Sequence, residues 1–372
     1  MGDRSLLIVG GGFAGMSLAI RMREIGWKVD LVEIDPEWRV YGAGISITGP
    51  TYRASKRLGI ADELIARGYA SHQGVRICTP GGEVVAEMPA APIEPGLPTG
   101  GGIMRPVMHE ILSARTRASG TNVRLGVTLE SYSESRGQIQ VETSDGRTAR
   151  YSLVVAADGA FSKTRNLVFP GAPPPTYTGQ YCWRLVAERH PDIKGVHFYM
   201  AGSITAGVMP TSAAQMYMFL LQAEPHKVRI DETTQWQRLK ELMAPFSGLL
   251  GTLRDGLSAS SPIICRPLDA ILLPRPWHRG RILLIGDAVH ATTPHLASGA
   301  GIAIEDALVL SKELAGDDIE RAIVRFEERR WERCRLVVEN SVRIGHMEQT
   351  HADPATLQKL MAESEAALRA DI

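Results

Sequence analysis

The chain has 372 residues, enough for about two domains around a large buried core. Apolar residues make up 44% and charged residues 22%, an ordinary globular balance that excludes a disordered or fibrous chain. Lys+Arg and Asp+Glu are both 41, so no net field draws in nucleic acid or an anionic membrane surface.

In chain order, Ser5 to Val9 predicts a short apolar strand, Phe13 to Ile25 a helix and Lys28 to Glu33 a second strand. Together they form a βαβ unit. Pro89 to Gly102, rich in Pro and Gly, predicts a surface excursion, and Met104 to Ala118 another helix. From Asn122 to Ala157 the pattern is a meander of strands with a Ser144-Asp145-Gly146 turn. A second Pro-rich loop, Pro170 to Pro175, marks a boundary. Beyond it, Tyr181 to Val186, Val196 to Met200, Ile204 to Met209 and Met216 to Gln222 are strand-like, with the spacing of an antiparallel sheet. The chain returns through an apolar strand, Arg281 to Ile285, into a helix near Ile302 to Leu314. Ile319 to about Gly345 predicts a long helix of mixed charge. On it, Arg329, Arg330, Arg333 and Arg335 alternate with Glu327, Glu328 and Glu332, the pattern of a solvated ion-paired face or a dimer contact. The fold class is α/β (α+β overall), with a first domain that is discontinuous in sequence.

Cys78, Cys182, Cys265 and Cys334 are far apart and form no CxxC pair. The expectation is reduced thiols, no metal site and a cytoplasmic protein. No apolar run reaches the ~18 residues that span a bilayer. The opening segment has no basic stretch followed by a cleavage site, so no secretory leader is expected.

Gly10-Gly11-Gly12-Phe13-Ala14-Gly15 is a G-x-G-x-x-G set between a strand and a helix. Gly10 serves the tight turn, Gly12 lets the backbone approach a pyrophosphate, and Gly15 lets helix and strand pack closely. Phe13 and Ala14 open the helix whose free N–H groups face the phosphates. Glu33, closing the next strand, stands where a carboxylate accepts from a ribose hydroxyl. Dinucleotide binding follows, with FAD and NAD equally compatible. Two later strands also end in acids. Arg281-Ile-Leu-Leu-Ile-Gly286-Asp287 places Asp287 where a polyol such as ribityl could be bound. Gly299-Ala300-Gly301 then opens a helix, offering N–H donors to a negatively charged ring or serving as a plain cap. Leu153-Val-Val-Ala-Ala-Asp158-Gly159-Ala-Phe-Ser162-Lys-Thr-Arg165 is the other, in isolation an ordinary turn.

The three motifs in this order resemble the fingerprints of the class A (single-component) FAD-dependent aromatic monooxygenases, the p-hydroxybenzoate hydroxylase superfamily. The likeness runs from residue 5 to about residue 345. It implies a Rossmann-like FAD-binding domain over 1–75, 101–172 and 266–330. An inserted, mainly antiparallel substrate-binding sheet would cover 76–100 and 173–265, and 331–372 would be a C-terminal helical segment. Gly10, Gly12, Phe13, Ala14, Gly15 and Glu33 would hold the ADP half of FAD, and Arg105 would lie beside the flavin and pyrophosphate. Asp287 would bind the ribityl region, with Gly299 and Ala300 at the flavin ring. Asp158 and Arg165 belong to a segment that the family uses for FAD and the nicotinamide coenzyme. Pro294 would shape the loop at the flavin's reactive carbon, with His295 beside it as an acid–base group. One departure stands out: where many members have G-x-G-x-N, this chain has Ala297-Ser-Gly-Ala-Gly301.

The implied activity is NAD(P)H- and O2-dependent hydroxylation of a phenol-, pyridine- or quinolone-like small molecule through a flavin hydroperoxide. NADH or NADPH would dock transiently, because no second G-x-G-x-x-G follows a strand. Arg184 is either a substrate-orienting cation or half of a structural ion pair. His197, Tyr199, Met209 and Tyr217 are pocket candidates that equally suit a sheet core. Nucleic acid and a membrane span are not expected, and the state would be monomer or homodimer. An oxidase, a halogenase (although none of the tryptophans fits W-x-W-x-I-P) or a non-catalytic redox sensor are the other readings.

Overall fold

The Ser5–Val9 strand is buried along almost its whole length, and Leu153–Ala156 entirely so. Runs of β-branched and leucine side chains with no polar alternation suit a parallel sheet covered on both faces. These strands sit at the centre of a six-stranded sheet in a computed structural model, which describes residues 4–40, 42–135, 137–202, 204–316 and 318–372. From one edge the order is His278–Arg279, Ile282–Leu284, Leu153–Ala156, Ser5–Val9, Lys28–Glu33 and Asn122–Leu125. All neighbours are parallel except the edge strand His278–Arg279. Three distant stretches of chain thus place their strand ends, Val9, Ala156 and Leu284, side by side. Helices Phe13–Glu24 and Gly299–Glu313 pack on each other against this sheet within one apolar core. Leu129–Ser135, Gln138–Thr143 and Thr148–Tyr151 form the expected antiparallel meander.

The second large sheet has seven strands in the order Ile263–Ala270, Thr176–Glu188, Gln215–Ala223, Ile204–Pro210, Val196–Ala201, Val75–Cys78 and Val84–Met88. It is antiparallel except where Val196–Ala201 meets Val75–Cys78. Period two separates its faces. One face carries Trp183, Leu185, Tyr199, Val208, Met218 and Leu220, covered by helices Gln235–Leu242 and Gly248–Asp255. The other carries Val186, Met209, Tyr217 and Phe219 and turns toward Ala43 and Gly44.

Between the two large sheets lies a small one, Gly44–Thr48, Gly100–Met104 and Tyr69–Ser71, which composition did not reveal. The Pro89 to Gly102 stretch is therefore not wholly a surface excursion, because Gly101 and Gly102 are buried strand residues. A Cβ at Gly44 would collide with the Tyr217 ring, and one at Gly102 with the Met209 methyl. Glycine lets the small sheet close on the seven-stranded one here.

The long helix spans Ile319–Gln349 and is followed by a further helix, Pro354–Arg369. Arg330 corrects the solvated reading of this face: it is 1% exposed and paired to two buried carboxylates. All four cysteines are free and buried. No helix among the described residues is long and apolar enough to cross a membrane.

Candidate active site

Gly10 has φ of +104°, and a Cβ on it would drive into Ala157 and Asp158 of the neighbouring strand end. A Cβ on Gly15 would strike the Gly10 carbonyl, whereas one on Gly12 would meet nothing within 4 Å. Turn, close packing and open approach thus fall at the glycines expected of them. Gly12 caps the Phe13–Glu24 helix without a side-chain hydrogen bond, so the first N–H groups stay available. Glu33 accepts from the N–H of Gly11 at 2.7 Å and of Asp35 at 2.9 Å, which holds its carboxylate at the mouth of the turn.

At the same end of the sheet, two strands along, Asp287 follows Gly286, whose φ of +60° needs glycine. Asp287 and Arg105 both retain exposed surface, yet protein surrounds them closely enough to desolvate them. Both therefore line a cleft. Burial pushes the Asp287 carboxyl up, while His290 and Arg105 pull it down and Asp306 pushes it up. Burial pulls Arg105 below the ordinary arginine range, opposed by Asp287 and aided by Arg184. Arg105 lies 5.2 Å from the centre of the Phe13 ring. The side chains of Asp287, Arg105 and Arg184 make no hydrogen bond or ion pair to protein among the described residues. Unsatisfied charges in a cleft are costly unless a ligand meets them. The helix Gly299–Glu313 is tied to the same turn by Asp306, which accepts from the Gly286 N–H, and its cap, Ser298, offers no side-chain bond to its first N–H groups.

This donor and acceptor set fits FAD: open space above Gly12, an orphan carboxylate for a polyol, and free N–H groups at two helix starts. The FAD binding domain family matches residues 3–341. The chain belongs to that family. It is 30% identical to aurachin C monooxygenase/isomerase of Stigmatella aurantiaca, covering 93% of this chain and 90% of that one. It is 29% identical to 2-heptyl-3-hydroxy-4(1H)-quinolone synthase of Pseudomonas aeruginosa, over 93% and 90%. Klebsiella pneumoniae HpxO, solved with FAD and uric acid, superposes with a TM-score of 0.84 at 24% identity over 99% and 95% of the chains. The protein is an FAD-dependent monooxygenase.

Within this flavoenzyme the expected site residues divide. Gly10, Gly12, Phe13, Ala14, Gly15 and Asp287 follow two strands of the six-stranded sheet; Arg105, after a strand of the small sheet, reaches toward Phe13 and Asp287, and Gly299 and Ala300 open a helix packed on Phe13–Glu24. Asp158 is occupied: it accepts from the Ser162 hydroxyl at 2.5 Å and the Thr164 N–H at 3.0 Å, capping helix Lys163–Val168. Arg165 donates to the Ala160 and Ala288 carbonyls, both at 2.9 Å. Arg165 thus staples the second motif to the third, while Asp158 holds the start of the helix that carries it.

His295 does not face the cleft. Its side chain is 2% exposed, accepts or donates at Thr293 Oγ1 at 2.8 Å and lies 3.5 Å from Glu348. A Cβ on Gly345 of the long helix would touch its ring, so His295 is a strut between the Pro294 turn and that helix. Pro294 itself is exposed at the start of the turn Pro294–Leu296. His197 and Tyr199 are likewise not pocket residues. Their strand neighbours are Val208 and Ala206 on the face packed under the two helices, opposite the cleft. Period two put them together, but only the packing shows which side is wet. Met209 and Tyr217 lie on the cleft face. Met209 accepts from Ser46 at 3.0 Å, and burial pushes the Tyr217 phenol up to about 12.

Sequence reasoning missed Thr51, Trp38 and the group beneath Asp287. A Cβ on Gly301, the family's Asn position, would come 2.5 Å from Thr51 Oγ1. Thr51 thus fills the space that a side chain at 301 would need. Trp38 donates its indole N–H to the Gly11 carbonyl at 2.9 Å from beneath the glycine turn, with φ of 50°. No local pattern around either residue signals this; the partners come from distant segments.

Proposed function

We propose that this monooxygenase uses NAD(P)H and O2 to hydroxylate a small aromatic or heteroaromatic ring of the phenol, pyridine or quinolone kind. The observation that carries the reading is Arg184: an unpaired, half-buried guanidinium on the cleft face of a sheet otherwise lined there by Val186, Met209, Tyr217 and Phe219. A wall of that kind suits a flat apolar ring bearing one polar oxygen.

When bound, FAD supplies the redox chemistry, taking a hydride from NAD(P)H and activating O2 for insertion of one oxygen atom. Arg184 binds the ring's oxygen substituent and favours its ionised form, which raises electron density on the ring. The apolar side chains around it exclude water. The free N–H groups at Gly299, Ala300 and Gly301 would stabilise negative charge on the reduced cofactor without reorganising. Asp287 would accept from its polyol hydroxyls, Glu33 would order the turn that holds its adenosine half, and Pro294 would stand beside its ring. The division into an FAD-binding unit of three segments and an inserted substrate sheet belongs to the same reading, as do a cytoplasmic setting and a monomeric or homodimeric state.

The test screens phenols, hydroxypyridines and quinolones for accelerated NAD(P)H consumption by the purified holoenzyme. With a responsive ring, Arg184→Met should raise KM by roughly 10–100-fold, the loss of a charged hydrogen bond of about 1.5–3 kcal/mol, and leave FAD in place. No acceleration by any ring compound, or an unchanged KM in the variant, refutes the reading.

A further inference from the structure

The face of the seven-stranded sheet that bears Arg184 stays apolar far beyond that residue. Its register sets one row of residues straight across the strands. Arg184 pairs with Phe219, Phe219 with Gly207, Gly207 with Phe198, Phe198 with Ile77 and Ile77 with Ala86. Cross-strand partners share a face, so all six stand on the cleft side. A second row, Val196, Val75 and Met88, runs beside it in register.

Past Arg184, no side chain on either row is charged or polar. An antiparallel sheet that packs one face on a core normally shows polar residues on the other. Here the packed face is already in use, with Tyr199, Val208, Met218 and Leu220 in the core that the two covering helices close. The charges of the two outermost strands go to that face as well, since Arg76 and Glu87 stand in register with His197. Phe198, Phe219, Val196, Val75, Ile77 and Met88 all keep accessible surface. Phe198 and Ile77 join none of the apolar cores among the described residues. The apolar face is therefore not there to pack against protein.

Gly207 sets the depth of this lane. A Cβ there would come 2.2 Å from the tip of the Phe219 ring, so only glycine lets that ring lie down across the strand. Phe198 then meets Phe219 edge-on, 5.7 Å between ring centres at 80°. The two rings make a continuous aromatic floor leading out from Arg184. Strands lie about 4.8 Å apart, so the four steps from Arg184 to Ile77 cover roughly 19 Å. A single ring held at Arg184 leaves most of that length uncovered.

We propose that the substrate ring carries an alkyl chain, and that the chain lies along this lane from Phe219 past Phe198 toward Ile77. The proposal rests on the reading above, in which Arg184 holds the ring's oxygen. One end of the lane is an unpaired guanidinium and the rest is hydrocarbon, so a molecule with one polar head and one apolar tail matches both. No side chain along the two rows would bind a polar tail. The inner end of the lane lies in the cleft beside Arg184, which suits a chain borne by the substrate rather than the surface of another protein.

The test measures NAD(P)H consumption by the holoenzyme with one responsive ring bearing no chain, a propyl, a hexyl or a nonyl chain, each below its micelle-forming concentration. Full burial of a methylene is worth about fourfold in affinity, so a lane open on one side should give about twofold. KM for the hexyl compound should thus lie at least about tenfold below that of the bare ring, with kcat much less changed. Phe198→Ser interrupts the floor midway and should bring the propyl and nonyl KM values to within about threefold of each other. Should that variant not fold, Ile77→Ser takes its place and should erase the gain from hexyl to nonyl. A KM that ignores chain length overturns the proposal and leaves the Arg184 reading standing. A chain-length gain that the variant leaves at full size puts the chain elsewhere and overturns it as well. No response to any of the compounds, chain or none, sinks the reading of the site and the proposal with it.

Discussion

Replacing Arg330 by Met keeps much of the volume and removes the charge at the centre of a buried charge cluster. Arg330 is 1% exposed and pairs with Glu305 and Asp306, which are 2% and 0% exposed. Breaking one side of a buried ion pair costs about 3–5 kcal/mol, because the carboxylate left behind stays out of water. Here the lower end applies. Glu305 keeps both bonds from Arg333, and Asp306 keeps His290 and the Gly286 N–H. At about 2 °C per kcal/mol for a chain of this size, about 3 kcal/mol corresponds to a melting temperature about 6 °C lower. Thermal unfolding of the holoenzyme, followed by far-ultraviolet circular dichroism and by flavin fluorescence, measures it. The two signals should move together, since the lost contacts tie the long helix to helix Gly299–Glu313 and, through Asp306, to the Gly286-to-His290 turn. A melting temperature within about 1 °C of wild type would show that the cluster relaxes or hydrates freely, contrary to its burial.

Ala297 sits at φ of 48° in the left-handed region, where a Cβ costs energy. Ala297→Gly should therefore stabilise the protein by about 0.5–1 kcal/mol, measurable as a small rise in denaturant midpoint at unchanged slope. Gly301→Asn should destabilise by about 1–3 kcal/mol, because its Cβ meets Thr51 Oγ1 at 2.5 Å, and adding Thr51→Ala should recover part of the loss in the same unfolding assay. Tyr52, Tyr199 and Tyr217 have their phenols pushed up to about 12 by burial. The folded state keeps these protons after the unfolded chain has lost its own, so their contribution is complete below about pH 10 and fades as pH climbs from about 10 to about 12. Denaturant midpoints across that range should fall in step with tyrosinate absorbance.

The glycine turn, its strand and helix, and the acid-ended strands were legible because each is a local pattern set by backbone geometry. Gly10, Gly12 and Gly15 occupy the places their spacing implied. His197 and Tyr199 show the limit: alternation says that two side chains share a sheet face, but not which face meets the cleft. His295 adjoins Pro294 in sequence, yet its ring turns into the long helix, since Gly345 leaves room for it there. Arg330 looked like a surface charge among alternating acids, because pairing with Glu305 and Asp306 depends on helix packing rather than on helical spacing.

The sequence by itself determined the chemistry of the cofactor site, because pyrophosphate contact depends on bare backbone at defined intervals along one turn. It also determined the division into a parallel and an antiparallel sheet, because strands separated by helices pair parallel and strands that follow one another directly pair antiparallel. Tertiary structure decided that, among the described residues, the side chains of Arg184, Arg105 and Asp287 make no hydrogen bond or ion pair, while Arg165 and Arg330 are consumed by the fold. Whether a charged group meets a ligand or a neighbour depends on what lies within a few ångströms of it: Arg165 finds the Ala288 carbonyl 123 residues on, and Arg330 finds its carboxylates 24 and 25 residues back on another helix.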